Sequence, residues 1–202
     1  IVQLVNTTEA FLIDGTGERT PIQAESGWNE QPQRTVVTSR GVWVSNESGL
    51  ARLVSDRLIP EDRWRGASGP MIADGEEASW MHHEGELHCV VGGTSQGAAV
   101  EGATFDADGV TELEFYAGSI VGAIPGKIVR LDRDLGTWQT LAELGSARAR
   151  SLRAGDDGEL WISTYGDGLF RIQRGDHIDH WPRRSGLPDP FLGWIGPVDS
   201  DG

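Results

Sequence analysis

One pattern of residues recurs along this chain and leaves it few folds to adopt. Its clearest instance spans 156–172, Asp-Asp-Gly-Glu-Leu-Trp-Ile-Ser-Thr-Tyr-Gly-Asp-Gly-Leu-Phe-Arg-Ile. Asp157-Gly158 is tight-turn chemistry. The run 160–164 that follows is rich in β-formers around Trp161, Tyr165-Gly166-Asp167-Gly168 turns the chain again, and 169–172 resumes alternating strand character. This is a hairpin, and the Asp-Gly turn before it implies a strand ahead of it. The same punctuation returns at Asp199-Ser200-Asp201-Gly202. Return at an interval of roughly 40–45 residues is what stacked four-stranded units produce.

Earlier copies follow the same order. Strands are expected at 34–39, 42–45, 50–54 and 58–59, with Trp43 matching Trp161 and Gly49-Leu50-Ala51-Arg52-Leu53 matching Gly168-Leu169-Phe170-Arg171-Ile172. The next copy predicts strands at 71–73, 78–82 around Trp80 and 86–91, with a fourth within 94–100. A further copy opens at 104–105, has its second strand at 110–116 and its third and fourth at 127–132 and 137–141, and carries an enlarged loop at 117–126. The clearest copy has strands at 150–154, 160–164, 169–173 and 177–181. Two strands at 1–5 and 10–14 precede a long polar connection, 15–33, and a lone strand is expected at 191–198.

No segment shows a sustained helical apolar period with caps. The expectation is an all-β protein, a β-propeller of four-stranded antiparallel blades forming a partial ring of about four full blades plus part-blades. As one propeller fragment over 1–202 it divides into a part-blade at 1–33, blades at 34–69, 70–101, 102–147 and 148–190, and the first strand of the next blade at 191–202.

Composition narrows function. A net charge of −14 argues against sequence-independent nucleic-acid binding, which requires a basic surface to neutralise phosphates. No apolar run approaches the length of a membrane-spanning helix, so no membrane contact is expected of this chain itself. Cys89 is the sole cysteine and excludes an internal disulfide. No nucleophile elbow, zinc-protease helix, phosphate loop or dinucleotide fingerprint is present. No cofactor and no catalytic residue is assigned.

Trp43, Trp80 and Trp161 stand at equivalent second-strand positions, and a repeated indole position points to packing between blades. With Gly168 they are read as structural repeat residues. In this topology the second-to-third-strand turns and the blade-to-blade linkers share one face. That face would gather Tyr165 and Asp167, His83 and Glu84, Asn46 and Glu47, the segment 117–126, and Trp28, Trp64, Arg183, Arg184 and Asp189. Aromatic rings can stack on sugar faces, and charged groups can bond hydroxyls. Tyr165, Asp167, Arg183, Arg184, His83, Glu84 and Trp64 are therefore the ligand-binding candidates, against the plain alternative of solvated turns. His82, His83, His88 and Cys89 look like metal ligands, but neighbours in a strand point to opposite faces, so at most one of each pair can meet. No metal site is expected.

The stretch 157–172 resembles the two-component regulator propeller repeat, roughly D-G-x-L-W-I-G-T-x-G-G-G-L-x-R, with Ser163 where that pattern has Gly. Gly186-Leu187-Pro188 and the Asp201-Gly202 start resemble its linker and next repeat. The match is strong over 156–202, moderate over 35–53 and weak between. The resemblance implies the periplasmic or extracellular sensor part of a bacterial two-component-type signalling protein. It implies a small-molecule or glycan ligand, the remainder of the parent protein as partner, and room for a homodimer. Two alternatives stand beside it: a propeller enzyme of the lyase or lactonase type, and a protein-interaction propeller. The enzyme reading predicts carboxylates and histidines on several first strands, and the first strands at 36–37, 71–73 and 151–153 are poor in them.

Overall fold

In the computed structural model, the residues described are 2–4, 10–13, 16, 18–24, 34–38, 41–46, 48–67, 69–74, 78–90, 104–174 and 177–182. Among them every regular element is a strand, and the chain divides into two compact units, 1–104 and 105–202.

The first unit opens with a three-stranded antiparallel sheet, β1 (Val2–Leu4), β2 (Ala10–Ile13) and β3 (Arg19–Pro21). The supposed polar connection at 15–33 thus contains β3, and also β4 (Gln23–Ala24). Two full meanders follow. The first is β5 (Arg34–Thr38), β6 (Gly41–Asn46), β7 (Gly49–Val54) and β8 (Arg57–Arg65), with β4 added in parallel to the outer strand β8. The second is β9 (Met71–Asp74), β10 (Ala78–His83) and β11 (Glu86–Val90), and its outer strand is β12 (Thr104–Asp106). The fourth strand expected within 94–100 lies outside the described residues, and Thr104-Phe105, taken as the start of a new copy, closes this sheet instead.

In the second unit the meanders are β13 (Glu112–Tyr116), β14 (Ser119–Ile124), β15 (Lys127–Asp132), β16 (Thr137–Glu143), then β17 (Ala149–Ala154), β18 (Leu160–Thr164), β19 (Leu169–Ile172), β20 (Ile178–Trp181). The enlarged loop expected at 117–126 is β14 with a two-residue turn at each end. Its core residues Ile120, Val121 and Ala123 are wholly buried, so the strand shows no alternation and reads as a spacer. Restoring it makes 112–116 the first strand of this blade.

Within each unit, neighbouring meanders bury apolar faces against each other. In the first unit Trp43, Val36 and Leu50 of one sheet pack with Met71, Met81 and Val90 of the next. On the other side Val44, Ala51 and Leu58 meet Ile22. In the second unit Val121, Ala123, Ile128 and Ala142 face Leu152, Leu160, Ile162, Phe170 and Ile172. Each fully buried aliphatic chain of this kind contributes about 1.5–3 kcal/mol. This is the blade-on-blade architecture of a β-propeller.

Candidate functional site

In both units the linker between blades runs against the second-to-third-strand turns. In the first, the Gly66 N–H donates to Ser48 O (2.9 Å) and the His82 N–H to Pro70 O (3.0 Å). In the second, the Leu144 N–H donates to Gly126 O (2.7 Å) and the Tyr165 N–H to Arg148 O (3.0 Å). The shared face anticipated from topology is therefore present within each unit.

On that face of the first unit, the Met81↔His88 and His83↔Glu86 pairings put His83 and His88 on one side of the sheet. Their ring centroids lie 6.2 Å apart. His88 meets the buried indole of Trp64 edge-on at 5.2 Å, and the Arg63 guanidinium lies 5.2 Å from the same ring. His83 Nε2 is 3.9 Å from Glu84 Oε1, and His88 Nε2 is 3.6 Å from Glu86 Oε2. Three of the expected ligand residues, Trp64, His83 and Glu84, are thus brought together, with His88 added. Trp64 is a wall rather than a contact surface, because it is only 9% exposed. Among the described residues no three His, Cys, Asp or Glu side chains are arranged to hold a metal.

The second unit presents the β18–β19 turn. The Thr164 hydroxyl donates to Gly168 O (2.8 Å) and accepts from the Asp167 N–H (3.1 Å). His180 Nε2 donates to Asp167 O (2.8 Å) while its ring lies flat on Phe170, centroids 3.9 Å apart. So braced, the turn exposes Tyr165, 56% accessible, with the Arg150 guanidinium 5.3 Å from its ring. Asp167 is exposed beside it. Sequence reasoning named Tyr165 and Asp167 but missed Arg150, whose placement follows a register shift between Ala149 and Ser151. Arg183, Arg184, Trp28, Glu47 and Asp189 lie outside the described residues.

The repeated indoles differ in role. Trp43 and Trp80 are 4% and 1% exposed. Trp161 is half-buried and stacks on Trp181 (5.6 Å, 21°), with the Arg171 guanidinium 5.2 Å from each ring. Arg171 pairs with Asp179 (2.7 Å) and Glu159 (3.3 Å). Hydrogen bonds from Arg171 and Gln173 hold the Asp179 carboxyl below its ordinary range. The arginine in the Gly-Leu-x-Arg stretch was visible in the sequence, but its partners were not.

The corrected blade also places two carboxylates, Glu112 and Glu114, on an innermost strand. Burial pushes the Glu114 carboxyl up, against hydrogen bonds from the Phe115 and Ala154 N–H groups and the charge of Arg153. A raised folded-state value means the folded protein keeps this proton to higher pH than the unfolded chain. Stability therefore declines as pH rises from the unfolded value, about 4.3, through the folded one. Glu114→Gln removes that slope. Thermal midpoints from about pH 4 to about pH 8 should show the variant gaining on the parent as pH rises, and parallel profiles would contradict it.

No family model and no curated protein matches the chain. Solved structures do. A streptogramin B lyase superposes with a TM-score of 0.64 at 13% identity, over 91% of this chain and 68% of its own. The extracellular domain assigned to a hybrid two-component system of B. thetaiotaomicron gives 0.67 at 12%, over 96% of this chain and 30% of its own. Virginiamycin B lyase from Staphylococcus aureus gives 0.60 at 13%, over 88% of this chain and 64% of its own. The chain thus spans about two thirds of the lyases and under a third of that extracellular domain. At these identities the likeness speaks to fold alone, and in fold this chain is a partial β-propeller.

Proposed function

We propose that this chain is the ligand-reading propeller portion of an extracytoplasmic, two-component-type bacterial signalling protein, and that its ligand is a carbohydrate. The reading is supported by the repeat at 157–172 and by the fold it shares with an extracellular two-component domain. One observation carries the ligand class: an exposed Tyr165 ring on a braced turn, flanked by Arg150 and Asp167, which pairs a stacking surface with charged hydroxyl partners. A signalling role places the chain in the periplasm or outside the cell, with the rest of the parent protein as its partner. Screening oligosaccharides by calorimetry should find a binder whose affinity drops roughly tenfold in Tyr165→Ala, about 1.4 kcal/mol, with the melting temperature held. Binding that ignores Tyr165, or no binder at all, would reject the reading.

A second reading has its own observation. Glu112 and Glu114 on an innermost strand supply the carboxylates that a propeller lyase requires, and two structural neighbours are lyases. Turnover of a streptogramin B by the chain, lost in Glu114→Gln and on chelation, would put this reading first.

A further inference from the structure

Both methionines of the chain and two of its five histidines stand on one side of the sheet that contains β9, β10 and β11. Met71 lies directly opposite Met81, Met81 lies directly opposite His88, and His83 follows Met81 two residues along β10. Met81 and His88 are thus cross-strand neighbours, with His83 on the diagonal. By the same alternation His82 and Cys89 belong to the other side. The row changes character along its length. Met71 and Met81 are buried in the core with Trp43, Leu50 and Trp64. His83 and His88, at the turn end, keep 26% and 17% of their side-chain surface exposed.

Two imidazoles that share one ion, each with a nitrogen about 2 Å from it, place their ring centroids about 5–6.5 Å apart. The observed separation is 6.2 Å, near the wide end of that span, where an ion with few ligands fits better than a tetrahedral one. His88 Nε2 is turned along β11 toward Glu86 (3.6 Å), and Glu86 is the residue directly opposite His83. The His88 nitrogen therefore faces the space that His83 borders. Glu84 and Glu86 beside the rings, on a chain of net charge −14, favour a cation there. Among the described residues no third His, Cys, Asp or Glu is arranged to join the two imidazoles. The donor that the register does supply is the Met81 thioether. Zinc is bound through thiolate, imidazole and carboxylate, whereas a neutral, flexible thioether suits copper(I).

We propose that Met81, His83 and His88 form a binding site for copper(I) at the β10–β11 turn, closed on the core side by Trp64. The bound ion ties β10 to β11 beside the ring on which His88 rests. The site belongs to the first unit and stands without the carbohydrate reading of Tyr165.

The test is an anaerobic NMR titration of the chain, labelled at its two methionine methyl groups, with copper(I) kept reduced by ascorbate and separately with zinc(II). One equivalent of copper(I) should shift the Met81 methyl together with the His83 and His88 ring signals. Zinc(II) should leave that methyl in place. Competition with a copper(I)-chelating dye then measures affinity in variants whose circular dichroism matches the parent. Met81→Leu, a volume-conserving swap, should weaken copper(I) binding roughly tenfold while any zinc(II) binding is unchanged. His83→Gln, at the partly exposed turn end, should weaken copper(I) by at least roughly tenfold. Cys89→Ala and His177→Gln should leave it unaltered. A Met81 methyl that ignores copper(I), affinity indifferent to Met81→Leu or His83→Gln, equal losses of copper(I) and zinc(II) in Met81→Leu, or a loss in Cys89→Ala would overturn the proposal.

Discussion

Trp80→Ala should lower stability by about 3–5 kcal/mol, the range for emptying the site of a fully buried large aromatic. The indole is 1% exposed and sits mid-strand on β10, directly opposite Ile72 on β9 and Cys89 on β11, so the void opens where three strands meet. Backbone hydrogen bonds hold those strands at fixed spacing, so collapse can recover only part of the lost contact. Against a typical domain stability of about 5–15 kcal/mol, this is enough to endanger folding at growth temperature. Urea unfolding followed by circular dichroism should show the midpoint fall with little change in slope. Trp161→Ala is the internal comparison, since that indole is half-buried and leans on Trp181 and Arg171. Its loss should be smaller, and a Trp80→Ala loss no larger than that of Trp161→Ala would remove the packing role assigned to the repeated indole.

The same indoles show what could be read before any coordinates. The turn at Asp157-Gly158 and the hairpin it opens follow from local chemistry, since Asp-Gly favours a tight turn wherever it occurs, and the strands at 160–164 and 169–172 appear where expected. The strand at 119–124 was illegible for the opposite reason. Its residues are small or aliphatic and buried on both faces, so no alternation survives, while Gly118, Gly122 and Pro125-Gly126 imitate a loop. Read as a loop, that segment shifts a blade boundary and takes Glu112 and Glu114 off a first strand. At the candidate site, alternation alone foretold that only one residue from each of the pairs His82-His83 and His88-Cys89 could meet, and His83 and His88 do. Arg150 beside Tyr165 depends on a register shift at Ala149, and such an irregularity leaves no mark in residue type.

Gly49→Ala should cost about 3 kcal/mol or more, because two effects add. The residue has φ +131°, a conformation that strains any side chain by about 1–3 kcal/mol. A Cβ there would also stand 2.3 Å from Trp64 O and 3.0 Å from Arg65 Cα, both backbone atoms of the segment leading into the linker. A flexible side chain could swing away from such a clash, but this backbone is paired into the sheet at Gly49↔Arg65 and by Gly66 N–H to Ser48 O. Gly66→Ala separates the two effects. Its φ is +78°, yet a Cβ there meets nothing within 4 Å, so only the conformational penalty of about 1–2 kcal/mol should appear. The excess in Gly49→Ala must be absorbed by moving Trp64 and its neighbours, and Trp64 is the ring against which His88 rests. Gly49→Ala should therefore shift the His88 ring resonances as well as the unfolding midpoint, whereas Gly66→Ala should leave those resonances in place. Equal stability losses in the two variants, or an unmoved His88, would mean the linker yields freely. The turn-and-linker face would then lack the rigidity that a ligand-reading surface built on it requires.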